Sequence, residues 1–107
     1  MVAFSFRVGA AFRGYPSHPI TIPKGSVDYR EVDRAIAAAS DVAIVFPDGV
    51  RLPARIANSV AGFGEYRQIR TLKSSSWASS SSRKDQIVDV SVTRQADRVL
   101  IVVRERG

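Results

Sequence analysis

Hydrophobic and polar residues alternate near the start of the chain. Positions of one parity are apolar, and the positions between them are polar or small. The apolar set consists of Phe4, Phe6, Val8, Ala10 and Phe12. A period of two is typical of a strand with one buried face, so the pattern predicts a strand over 3–13.

Shorter apolar runs predict further strands along the chain. They cover 20–22, 42–46, 50–56, 87–93 and 98–104. The last two runs form a closing hairpin, in which Val88, Val90 and Val92 are expected to face the core.

Turn-forming residues separate the two central strands. The Pro-Asp-Gly run at 47–49 predicts a tight turn, because proline presets φ and glycine accepts a positive φ. Pro53 cannot donate to a ladder, so its strand is expected at a sheet edge or with a bulge. Segment 58–64 is expected to be a loop, whereas 65–72 fits either a strand or a short helix.

One segment has the pattern of a helix. Asp28 and Glu31 have the spacing of a capping box. An apolar stripe at helical spacing follows, formed by Val32, Ala35, Ile36 and Ala39. We therefore expect a helix that begins at Asp28.

These elements predict one domain over 1–107. The expected fold is mainly β (α+β): a small open or closed β-barrel of about six to seven strands with one or two helices. The segment 74–82 holds seven serines around Trp77 and Ala78, which predicts a flexible Ser-rich loop.

The positive charge is concentrated in one part of the chain. The formal net charge is +6, and the residues before 51 and after 84 balance. The segment between them holds one acid, Glu65, and the cations Arg51, Arg55, Arg67, Arg70, Lys73, Arg83 and Lys84. A local excess of this kind produces a directed field, whose natural partner is a polyanion.

The residue types give little support to catalysis. Cysteine is absent and His18 is the single histidine, so catalysis that pairs a nucleophile with a histidine has few candidate residues. Asp48 followed by Glu65-Tyr66-Arg67 is loosely similar to a PD…ExK metal nuclease, but arginine replaces the lysine and cannot act as a base. We interpret Asp48 as a turn residue and Glu65 as an ion-pairing residue, and we expect no enzyme activity, metal or cofactor.

Two further features concern location and the lone tryptophan. No apolar run approaches the length of a membrane span, and the lack of cysteine fits a cytoplasmic setting, so no membrane partner is expected. Trp77 fits a core anchor or a base-stacking wedge on a mobile loop, and both readings stay open. Tyr15 and His18 lie in a loop near Arg13, where either could contact a base edge.

Several of these elements together resemble the DNA-binding pseudobarrel, which is shared by plant auxin-response-type DNA-binding domains and the effector domains of some type II restriction endonucleases. The matching pieces are the strand ending in Phe12-Arg13, the Ile20-Thr21-Ile22-Pro23-Lys24 run, the helix after it, the Phe46-Pro47-Asp48-Gly49 hairpin, Glu65-Tyr66-Arg67 with Arg70, a tryptophan, and the hairpin opened by Lys84-Asp85. The chain has Lys84-Asp85 where family members often have Gly-Asp.

The resemblance implies two DNA-gripping arms. The first maps to Arg13 through His18, and the second to Arg51 through Arg70. The chain is also similar to small bacterial barrel proteins of uncharacterised function, which need not bind DNA.

The sequence therefore predicts a non-catalytic duplex DNA-binding domain, either a regulator or the recognition module of a larger nuclease. The alternative is a small bacterial barrel protein that binds RNA or a protein partner. The candidate nucleic-acid-binding residues are Arg13, His18, Arg51, Arg55, Arg67, Arg70, Lys73, Arg83 and Lys84.

Overall fold

Seven β-strands form one mixed sheet in the computed structural model, which describes residues 2–22, 41–62 and 64–106. The strands are β1 (Val2–Arg7), β2 (Ile20–Ile22), β3 (Asp41–Val45), β4 (Arg51–Ala61), β5 (Gly64–Thr71), β6 (Ile87–Gln95) and β7 (Arg98–Glu105). Within these ranges the helical elements are α1 (Ala10–Gly14) and a π-helical turn over Trp77–Ser81. The expected helix from Asp28 lies outside the described residues.

The sheet curves into a barrel that is nearly closed. The strand order is β1-β6-β7-β3-β4-β5-β2, and each neighbouring pair is antiparallel except β3 and β7, which are parallel. The edge strands β1 and β2 approach each other, but no ladder joins them in the described part of the chain. The predicted mainly-β small barrel is confirmed, with one seam left open.

Alternating side chains of the strands fill the barrel interior. In β6 the side chains of Val88, Val90 and Val92 are at most 1% exposed, as the hairpin pattern predicted. Across the ladder, Ile101 and Val103 of β7 are buried on the same side. Burial of each such side chain contributes roughly 1.5–3 kcal/mol, so the closing hairpin supplies much of the core.

The strand predicted over 3–13 is wrong in its second half. The β1 strand ends at Arg7, and Val8 then exchanges backbone hydrogen bonds with Gln86 and Asp85 at 2.8 and 2.7 Å. From Ala10 the chain turns into α1, in which Phe12 is the buried residue. Two consecutive alanines favour the helical turn through their high intrinsic helix propensity.

The hairpin of β4 and β5 is longer than expected. The loop predicted over 58–64 is wrong, because β4 continues to Ala61 and pairs with β5 as far as Gly64. The segment 65–72, which fitted a strand or a helix, is a strand. Pairing with β4 therefore determines the structure of this segment, whose local sequence fits either a strand or a helix.

Pro53 does not mark a sheet edge, because β4 lies between β3 and β5. Its carbonyl accepts a hydrogen bond from Leu72 N at 2.9 Å. In an antiparallel pair both backbone groups of a residue point to the same neighbour. The nitrogen of Pro53, which carries no hydrogen, therefore faces Leu72. This residue lies one position beyond the end of β5, where the ladder requires no hydrogen-bond donor.

Candidate nucleic-acid interface

Three connections of the barrel meet at one end. The pairing directions bring together the links β1–β2, β3–β4 and β5–β6, which are residues 8–19, 46–50 and 72–86. The link at 46–50 is the predicted tight turn: Gly49 has a φ of +84°, and Asp48 Oδ1 accepts a hydrogen bond from Val50 N at 3.1 Å. We call these links, Arg106 and the two strand residues next to each link or next to Arg106 the basic end. It also includes Asp89, which lies opposite Arg104 in the ladder and forms an ion pair with Arg106.

Cations far outnumber acids at the basic end. Among its described residues nine side chains are cationic and four are acidic. The cations are Arg7, Arg13, Arg51, Arg70, Lys73, Arg83, Lys84, Arg104 and Arg106, and the acids are Asp48, Asp85, Asp89 and Glu105. The charge excess that is local in sequence is therefore also local in space.

The opposite end of the barrel carries no such excess. Its described side chains include the cations Arg94 and Arg98 and the acids Asp41 and Asp97. Arg98 Nε lies 3.6 Å from Asp41 Oδ2 in an exposed ion pair. The charges of the described residues thus produce an electric field that is directed from the basic end of the barrel to the opposite end.

Seven of the nine predicted site residues lie at the basic end. Arg51, Lys73, Arg83 and Lys84 are exposed there, Arg13 and Arg70 are partly buried, and His18 is buried. Arg55 is exposed on the outer face of β4, where it shares a face with Arg51, as the alternation predicted. Arg67 and Arg70 point to opposite faces because β5 is a strand.

Arg55 and Arg70 are direct cross-strand neighbours on the outer face of the barrel. Opposite residues of a ladder have Cβ atoms about 4.5–5.5 Å apart, and like charges placed there repel. Arg70 donates from Nε and Nη2 to Gln68 Oε1 at 3.2 and 2.9 Å. Gln68 Nε2 donates in turn to Thr21 Oγ1 at 3.1 Å, so the Arg70 guanidinium is held in a fixed position.

A pocket of about 390 Å³ lies beside this arginine pair. One wall comes from the first link and contains Tyr15 and Ser17. The other wall comes from the outer face of β5 and contains Tyr66, Gln68 and Arg70. The two segments that were predicted to be DNA-gripping arms thus form one recess between them.

A second recess of about 420 Å³ lies beside Arg83 and Lys84 and also touches Arg106. Arg106 Nη2 lies 2.7 Å from Asp89 Oδ1 and also donates to Ser5 Oγ. The hydrogen bond from Arg106 holds the pKa of the Asp89 carboxyl below its ordinary value. Since Asp89 offsets the charge of Arg106, Arg83 and Lys84 provide most of the positive charge at this recess.

His18 is buried, with 1% of its surface exposed. Its Nδ1 lies 2.7 Å from Phe12 O, and its Nε2 accepts a hydrogen bond from Ser75 N at 2.9 Å. The ring therefore joins α1 to the Ser-rich segment as a neutral tautomer with its proton on Nδ1. Because both ring nitrogens are occupied inside the fold, we leave His18 out of the proposed binding surface.

Replacing His18 by leucine is expected to lower the free energy of unfolding by about 2–4 kcal/mol. The substitution leaves Phe12 O and Ser75 N buried without partners, and each unsatisfied group costs about 1–3 kcal/mol. Urea unfolding followed by fluorescence measures the change. As a control, His18→Gln keeps a donor and an acceptor and is expected to lose less; equal midpoints for His18→Leu and the wild type contradict the assignment.

Trp77 lies in the core, with 6% of its surface exposed. Its ring stacks on Phe46 at a centroid distance of 6.0 Å and meets Phe12 edge-on at 6.4 Å. The anchor interpretation of Trp77 agrees with this burial, and a base-stacking wedge does not.

The serines around Trp77 bond to their own segment. Ser75 Oγ accepts a hydrogen bond from Ala78 N at 3.1 Å, and Ser79 Oγ donates to Ser75 O at 3.0 Å. Serine hydroxyls commonly satisfy backbone groups near a helical turn. Ser75 and Ser82, near the two ends of the segment, are buried, and the flexibility of the segment stays a prediction.

The residues of the nuclease-like pattern do not lie close together in the structure. Asp48 lies in the turn at the basic end, whereas the backbone of Glu65 follows Gly64 at the start of β5, at the opposite end. No group of three metal-ligating side chains occurs among the described residues. In the same ranges no helix is long and apolar enough to cross a membrane.

No protein-family model matches this chain, and no curated protein matches it either.

Sequence reasoning missed two parts of this surface. Arg7, Arg104 and Arg106 belong to charge-balanced stretches of sequence, and only the strand directions bring them to the basic end. Tyr66 shares a face with Gln68 and Arg70. That grouping could have been found from the alternation of 66–70, if the segment had been assigned as a strand.

Proposed function

We propose that the chain is a non-catalytic domain that binds duplex DNA with its basic end. The observation that carries the proposal is the gathering of cations at that end, while the described side chains at the opposite end balance in charge. Lysine and arginine side chains bind DNA mainly by neutralising phosphates and releasing counterions.

The dimensions of the barrel suit a duplex. Its principal extents are 33 × 33 × 25 Å. A duplex carries one phosphate charge per about 1.7 Å of axis, so a 25 Å length presents about 15 charges. Arg51 and Arg55, four residues apart on β4, are separated by about 13 Å, which is close to the major-groove width of about 12 Å.

The predicted pseudobarrel arms also support the proposal. The first arm, from Arg13 to His18, is part of the basic end, and the second begins at Arg51 in the same place. We assign phosphate contacts to the exposed cations Arg51, Arg55, Lys73, Arg83 and Lys84. A role as a regulator or as the recognition module of a larger nuclease fits this assignment.

A salt-titrated binding assay tests the proposal. The wild-type protein is titrated into a labelled DNA duplex of about 16 base pairs, its single strand and the matching RNA duplex, with fluorescence anisotropy as the readout. Five phosphate contacts predict a slope of log affinity against log salt of about −4.5 on duplex DNA. Tighter binding to the RNA duplex at every salt concentration, or no binding to any of the three at low salt, overturns the proposal.

A further inference from the structure

We infer that the pocket between Tyr15 and Tyr66 binds a single unpaired nucleotide of an otherwise paired DNA, with the base against the tyrosine side chains and a flanking phosphate on Arg70 and Arg55. This inference rests on the proposed function, because the paired DNA on either side would be held by the basic end.

The lining of the pocket matches a nucleotide better than a simple anion. A phosphate ion needs only cations and small donors, but this pocket also presents two tyrosines. Tyrosine stacks on any nucleobase because each base has a π-face. The volume of about 390 Å³ lies in the usual range for small-molecule sites, which is about 300–1,000 Å³.

Tyr15 is unusually exposed for a large side chain, at 62%. The link that carries it is nevertheless firmly held. Thr71 N donates to Ser17 O at 2.8 Å, and Thr71 Oγ1 donates to Pro16 O at 3.2 Å. An exposed aromatic side chain on a fixed backbone offers contact area at a low entropic cost, which favours binding.

The arginine pair provides the complementary charge. Arg55 and Arg70 repel each other across the ladder, and a phosphate bound between them would relieve that repulsion. Gln68 already holds Arg70 through two hydrogen bonds, so Gln68 is a positioning residue for this phosphate. Arginine suits a phosphate contact because its guanidinium is always charged.

The position of the pocket fits a duplex lying on the basic end. Arg70 is the second-to-last residue of β5, and Tyr15 belongs to the first link. The pocket therefore opens beside the phosphate-binding surface. An unpaired base is already free of its partner, so the cost of removing it from the helix is low.

The test compares a fully paired duplex with the same duplex carrying a one-nucleotide 2-aminopurine bulge. Wild-type protein is expected to bind the bulged duplex roughly ten-fold more tightly, since stacking on an aromatic side chain has about this effect. A change in 2-aminopurine fluorescence on binding is the second readout.

Tyr15→Ala is expected to remove most of the preference and of the fluorescence change, so that its affinities for the bulged and the paired duplex agree within about two-fold. Tyr15→Phe keeps the ring and is expected to keep the preference. Leu72→Ala is the matched control, because Leu72 is 58% exposed at the basic end and outside the pocket.

Equal wild-type affinity for the two duplexes overturns the inference, and so does a preference that persists in Tyr15→Ala. The two proposals fail separately. Wild-type protein that binds the paired duplex but does not prefer the bulged one refutes the pocket alone, whereas a Tyr15-dependent fluorescence change on a single-stranded probe without duplex binding refutes the proposed function and leaves the pocket in place.

Discussion

Replacing Trp77 by alanine is expected to lower the free energy of unfolding by about 3–5 kcal/mol, the usual cost of truncating a buried tryptophan. Trp77 contacts Phe46 and Phe12 at the basic end. Its loss therefore also weakens the packing of the Ser-rich segment against α1. For a domain of this size the melting temperature should fall by about 12 °C or more.

Leu72→Ala is the control for this experiment. Leu72 is 58% exposed, so its truncation is expected to change stability by no more than about 0.5 kcal/mol. Differential scanning calorimetry on both variants measures the contrast. Equal melting temperatures for Trp77→Ala and Leu72→Ala would show that Trp77 is not a core residue.

Replacing Arg51, Arg55, Lys73 and Lys84 together by alanine is expected to reduce the salt slope of duplex binding by about three to four units. All four side chains are exposed. The variant therefore removes charge without emptying the core, and its melting temperature should stay close to that of the wild type. The change is measured by the same anisotropy titration over a range of salt concentrations.

Two double variants that remove the same amount of charge test whether the position of that charge matters. Arg51→Ala with Lys73→Ala removes two positive charges from the basic end, and Arg94→Ala with Arg98→Ala removes two from the opposite end. The first pair should lower the slope by about two units. The second pair lies beyond the Debye length of about 10 Å from that surface and should have little effect. Equal losses would mean diffuse attraction rather than a located surface.

Much of the fold could be predicted because the pattern of period two is local. The closing hairpin needs only the alternation of Val88, Val90 and Val92, and the turn before β4 needs only proline, aspartate and Gly49. The two errors had different causes. Long-range pairing extends β4 to Ala61, because β5 lies opposite. The segment after Arg7 leaves the sheet because two alanines favour a helical turn, a local preference that the alternating pattern hid.

The candidate site was harder to predict than the fold. Arg51 and Arg55 were correctly predicted to share one face, because residues four apart on a strand point to the same side. The burial of His18 could not be foreseen, since its partners Phe12 and Ser75 come from separate links. The pocket that Tyr15 and Tyr66 line together likewise depends on the pairing of β2 with β5, which no local pattern reveals.

The pairing of β1 with β6 affects how the chain can fold during synthesis. Val2 of the first strand pairs with Val92 of the sixth, and in the described residues β1 has no other ladder partner. At a synthesis rate of about 5–20 residues per second, the first strand emerges from the ribosome several seconds before its partner. Such non-local contacts form slowly, so β1 must stay unpaired until the sixth strand has emerged, and the barrel closes late rather than growing from its first strand.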